Sequence, residues 1–126
     1  MKLGTFMAVA AVVALIFGLS FILAPVQTMS MYGTTLDIPG QYLGRYLGSA
    51  FLGIAVFTWF ARNANPKDET LRAVLLGNVV LTITGFVVSL FDKFYGGGNN
   101  MAWSTVLIYF LLAVGFGYYR FVKSAN

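Results

Sequence analysis

The chain has 126 residues, 59% of them hydrophobic and only 10% charged, with a mean hydropathy of +0.80 and a formal net charge of +4. A soluble domain carries about 25% charged residues, so a water-soluble globule is excluded. Cysteine and histidine are both missing; this excludes disulfides, iron–sulfur clusters and thiolate chemistry, and it removes the usual ligands of haem, copper and zinc. No cofactor is expected.

Four apolar segments follow one another, at about 3–24, 41–61, 71–91 and 101–119. Each approaches the ~20 residues that a helix needs to cross a ~30 Å hydrocarbon core. Stretches such as VVLTITGFVVSLF and VLIYFLLAVGF do not alternate apolar and polar residues, so a transmembrane β-barrel is not indicated. The sequence therefore predicts an all-α, integral-membrane four-helix bundle, one domain over residues 1–126. The first segment starts with Lys2 and resembles a signal peptide, but its apolar core runs past the ~7–15 residues of such peptides. It is read as a retained first span.

Basic residues set the orientation. Lys2, Arg62, Lys67, Arg72, Arg120 and Lys123 fall on one side of the spans, and only Arg45 and Lys93 fall on the other. Both termini are expected in the cytoplasm, with the protein in the inner membrane. The same residues form no run or face for nucleic acid, and none is expected as a partner. Breakers agree: Pro25 is expected to end the first helix, Pro39-Gly40 to precede the second, and Asn65-Pro66 to turn the chain before Asp68 and Glu69 open the third. The long connection PVQTMSMYGTTLDIPG is expected on the membrane surface, and FYGGGNN is expected as a flexible turn.

The second span opens GQYLGRYLGSAFLG. Gly40, Gly44 and Gly48 recur every four residues, with Gly53 nearby, and form a strip where a neighbouring backbone can approach closely. Arg45 sits among them near the outer end, where its long side chain can reach headgroups. Asp92, at the outer end of the third span, and Asp37, just before the second, are its candidate partners. The expected arrangement is an Arg45–Asp92 ion pair; the alternative is an anion site at Arg45.

In the third span Asn78, Thr82, Gly85, Ser89 and Asp92 are spaced by four and three residues and share a face. Asn78, Thr82 and Ser89 are read either as hydrogen-bonding groups between helices or as a narrow polar lining. No acidic residue occupies the middle of a span, so a proton-coupled exporter lacks its carrier. A faint internal echo is also present. The first and third spans each reach a glycine (Gly18, Gly85) and then a Tyr-Gly pair, Tyr32-Gly33 and Tyr95-Gly96, as two successive hairpins would.

FGLSFILAP, the following Tyr-Gly, RYLG and WFAR together resemble small four-helix bacterial inner-membrane proteins catalogued as domains of unknown function, over residues 15–62. The resemblance implies a four-helix bundle and no established activity. Small multidrug exporters share the helix count, but the glutamate of their first helix has no counterpart here. Fluoride channels carry an asparagine where Arg45 stands. The sequence expectation is a non-enzymatic accessory or structural membrane subunit that acts through helix packing. Its partners would be membrane lipids and either copies of itself or a larger membrane complex. The alternative is a small oligomeric channel or transporter with its path along the third span.

Overall fold

The computed structural model describes residues 1–123. Among the described residues there is helix and no strand. The elements are α1 (Leu3–Leu23), α2 (Pro25–Ser30), α3 (Ile38–Ala61), α4 (Glu69–Phe94) and α5 (Ala102–Gly117), and a π-helical turn, Tyr118–Lys123, prolongs α5. Four helices are long and apolar enough to cross a membrane. They bury only 17–28% of their apolar windows, so leucine, isoleucine, valine and phenylalanine cover the outside. The chain divides into two compact units, Met1–Phe60 and Ala61–Asn126.

Unit 1 holds α1, α2 and most of α3. The buried positions of α1 are Met7, Ala10, Ala11, Ala14, Gly18 and Phe21, a stripe at three- and four-residue spacing made mostly of small side chains. On α3 the buried positions are Gly44, Gly48, Ala55 and Thr58. The helices meet backbone to backbone. A Cβ added at Gly48 would lie 2.7 Å from the Gly18 carbonyl oxygen and 3.0 Å from the Ile22 nitrogen, and one added at Gly18 would lie 3.0 Å from the Gly48 oxygen and the Leu52 nitrogen. Below this crossing, at Gly44, the neighbours are Pro25 and Phe21 at ordinary distances of 3.4 and 3.7 Å. Phe17 and Phe51 meet beside it at a tilt of 38°, ring centres 6.2 Å apart.

The connection contains one element the sequence reading lacked. Pro25 does not simply end α1; it opens α2, because its fixed φ and missing N–H suit a first helical turn. One carbonyl of the last turn of α1 is taken up locally: Ser20 O accepts from Ala24 N (2.9 Å) and from the Thr28 hydroxyl (3.0 Å). Likewise Pro39 and Gly40 do not precede α3 but lie in its first turn. Asp37 is the residue before the helix, and its carboxylate accepts the Gly40 N–H at 2.8 Å, satisfying one of the four free donors of a helix start.

In unit 2, the turn after α3 closes with Asn65 Oδ1 accepting from Lys67 N and Asn65 O accepting from Asp68 N. Asp68 then caps α4 through Thr70 N at 2.8 Å. Leu71, Leu75, Asn78, Val79 and Thr82 form the buried face of α4. Gly85 lets the Tyr109 ring of α5 lie against the α4 backbone; a Cβ there would fall 2.6 Å from Tyr109 Cδ1 and Cζ. Phe86 and Phe110 pack alongside, centres 5.6 Å apart.

Both Tyr-Gly pairs end a helix in the same way. Gly33 (φ 76°) donates to Ser30 O and Thr34 to Met29 O; Gly96 (φ 85°) donates to Lys93 O and Gly97 to Asp92 O. This is the paired hydrogen-bond pattern of a glycine-terminated helix, which needs left-handed backbone at the glycine. The FYGGGNN turn is further held by Lys93 Nζ, which donates to Asn99 O at 2.9 Å.

Gly48→Ala is expected to lower stability by about 1–3 kcal/mol through overpacking. Gly53, with nothing within 4 Å of its Cβ position, is expected to accept alanine with no loss and a gain of up to about 1 kcal/mol. Thermal unfolding of the detergent-solubilised protein measures both.

Candidate functional site

The residues singled out in the sequence fall into three places. The first is the α3 glycine strip. Gly44 and Gly48 are its buried members. Gly40 lies at the α3 entry beside the Asp37 carboxylate, and Gly53 is exposed and outside the α1 contact. The reason is angular: residues 44 and 48 share a face, as do 55 and 58, whereas a step of five residues turns Gly53 away.

The second place is Arg45. It stands about 10 Å along the axis from the start of α3 (at ~1.5 Å per residue), half-buried, with its guanidinium carbon 5.2 Å from the centre of the Tyr42 ring. Tyr42 and Tyr46 flank it on the exposed surface. An arginine over a tyrosine face gains cation–π attraction. Asp37 is committed to capping Gly40 N. Arg45 belongs to unit 1 and Asp92 to unit 2; Asp92 is exposed in the last turn of α4, and its backbone carbonyl accepts from Gly97 N at 2.8 Å.

The third place is the polar face of α4. Asn78 is 4% exposed and Thr82 2% exposed. Asn78 Nδ2 donates to Val74 O at 3.0 Å. The Thr82 hydroxyl lies 2.7 Å from Asn78 O and 3.3 Å from Val79 O, and Ser89 Oγ donates to Phe86 O at 3.1 Å. Three polar side chains in an apolar helix thus turn back to carbonyls of the preceding turn. Such a bond uses a hydroxyl's donor without a partner helix. Among the described residues no group of three or more acidic, histidine or cysteine side chains is placed to hold a metal.

Sequence reading missed two contributors. Tyr109, the ring that Gly85 accommodates, gives no signal of its own in an aromatic-rich helix. Arg120, counted only as a topological charge, donates through Nε to Arg72 O at 3.2 Å. The basic residues at both helix ends were visible; their proximity was not.

Because the Thr82 hydroxyl answers to its own helix, Thr82→Val is expected to change the unfolding free energy by less than about 1 kcal/mol, below the ~1.7 kcal/mol that the strongest bonds between membrane helices contribute. Denaturant titration in mixed micelles reads this directly.

No curated protein and no solved structure is significantly similar to the chain. A family match does exist, and it runs well beyond the segment that carries the sequence resemblance, taking in α4 and α5 as well. The chain belongs to the family described as a domain of unknown function (DUF8292), matched over residues 8–124.

Proposed function

We propose that this protein is a non-enzymatic, multi-pass protein of a bacterial inner membrane, with both termini in the cytoplasm. In this reading it serves as an accessory or structural subunit, assembled with copies of itself or within a larger membrane complex and surrounded by lipid. The observation that carries the reading is the state of the α4 hydroxyls: Thr82 and Ser89 direct hydrogen bonds to carbonyls of their own helix. A conduit needs polar groups that exchange partners with a passing solute or with water. A packing subunit needs them satisfied and out of the way. The apolar exterior supports the lipid setting, and the six-to-two distribution of basic residues supports the orientation. The Arg45–Asp92 pair expected from the charge pattern is carried here as a proposal, open to a double-mutant cycle on stability.

Two measurements test the reading. Reporter fusions at residue 126 are expected to be active only with cytoplasmic reporters; activity only with periplasmic ones reverses the orientation. Proteoliposomes holding the purified chain are expected to pass small ions no faster than protein-free vesicles. Flux that Thr82→Val or Asn78→Leu abolishes would transfer the assignment to an oligomeric channel or transporter.

A further inference from the structure

The start of α3 gathers three side chains that hold hydrogen-bond donors and meet no acceptor within their unit. Arg45 is half-buried, and its guanidinium carbon lies 5.2 Å from the centre of the Tyr42 ring, one turn nearer the start of the helix. Tyr46 follows Tyr42 by four residues, so both rings stand on the same side of α3 as the arginine; both are exposed. Within unit 1 the Tyr42 ring is the one group that meets the guanidinium, whose N–H groups make no hydrogen bond there. The Tyr42 and Tyr46 hydroxyls make none either. The single carboxylate of unit 1, Asp37, accepts the Gly40 N–H at 2.8 Å and makes no ion pair with Arg45. Leu43 and Leu47, exposed beside the cluster, are apolar.

A guanidinium carries five N–H donors in a fixed plane and stays charged in a protein. An aromatic face compensates that charge only in part, and the donors are shaped for an anion. Depth selects which anion. A helix of 24 residues is about 36 Å long, against a hydrocarbon core of ~30 Å. Centred in a bilayer, α3 emerges by about 3 Å at each end, and Tyr42, about 6 Å from its start, falls just beneath the polar boundary. An arginine at that depth reaches the lipid phosphates, and tyrosines favour the same level. A phosphodiester fits the donors: the planar fork takes two of its oxygens, and phenol hydroxyls donate to the others. The phosphate of a headgroup with an ammonium is already paired inside its own lipid, whereas that of an anionic lipid is not.

We propose that Arg45, with Tyr42 and Tyr46, binds the phosphate of an anionic phospholipid in the leaflet at the start of α3. The proposal rests on the membrane reading above, and the orientation given there makes this the outer leaflet. Arg45 supplies the fork, Tyr42 positions it, and Tyr46 adds a hydroxyl. A guanidinium has two edges, so a carboxylate such as Asp92 on one of them leaves the other for phosphate.

The test is native mass spectrometry of the full chain in detergent, with phosphatidylglycerol titrated against phosphatidylcholine of the same acyl chains. Wild type is expected to retain phosphatidylglycerol preferentially, and Arg45→Gln to weaken that preference about fivefold, the effect of one basic residue at a charged surface. Arg45→Lys, which keeps the charge and loses the fork, should recover part of it. Tyr42→Leu should weaken it about twofold. Lys67→Gln, a charge loss in an exposed turn outside the site, should leave it unchanged. Equal retention of both lipids by wild type overturns the site, and so does a preference that Arg45→Gln leaves intact. Should Arg45→Gln fail to fold, an unchanged preference in Tyr42→Leu overturns it instead. If inorganic phosphate displaces the lipid and raises the melting temperature of wild type but not of Arg45→Gln, the site takes a soluble anion and the lipid assignment falls. Retention of neither lipid overturns the membrane reading together with the site. Solute flux in proteoliposomes or a reversed fusion result would change the reading above and leave the lipid preference standing.

Discussion

Close backbone approach is the contact on which unit 1 depends. Its helices keep most of their apolar side chains on the outside, so burial of large residues, confined on α1 to Met7 and Phe21, is a minor part of what joins α1 to α3. In lipid that burial would bring little, since the tails are as apolar as leucine, and helices are held by van der Waals fit instead. The fit needs positions without a Cβ. Gly18 and Gly48 supply them at the crossing, where each glycine would push a methyl group into the other helix's backbone. Gly85 performs the same service in unit 2, with an aromatic ring in place of a second backbone.

The connections follow from the same economy of surface. Each unit has helix ends whose free carbonyls and N–H groups must be satisfied close to an apolar environment, and short polar side chains near the ends do this. Thr28 and Asp37 serve in unit 1 and Asp68 in unit 2, and the Tyr-Gly pairs complete the pattern with left-handed glycines. Gly33 and Gly96 share this termination, each within a unit that holds a close glycine contact.

Much of this was legible from the residues. Span positions came from hydropathy and length, and the Gly44–Gly48 face from four-residue spacing, because both signals are local and periodic. Asp37 could have been read as a cap from its three-residue distance to Gly40, a local signal that the Pro39-Gly40 breaker obscured. The α4 face formed by Asn78, Thr82 and Ser89 was visible, but its hydrogen-bond partners were not. A helix wheel shows which residues share a side, and it is silent on whether a hydroxyl turns outward or back to its own carbonyl. Tyr109 on Gly85 and Arg120 on Arg72 depend on how two helices pair, and no local pattern carries that information.

The outward apolar faces are proposed to meet lipid while the Thr82 and Ser89 hydroxyls stay tied to their own helix. Since the chain has no native cysteine, single spin labels can be placed at Val12→Cys on α1 and Ile83→Cys on α4, both exposed positions far from the helix ends. In reconstituted bilayers, paramagnetic relaxation by oxygen, which concentrates in the hydrocarbon, is expected to exceed relaxation by a water-soluble nickel chelate at both sites. Nickel relaxation exceeding that of oxygen at either site would mean that this face meets water, and it would contradict the account.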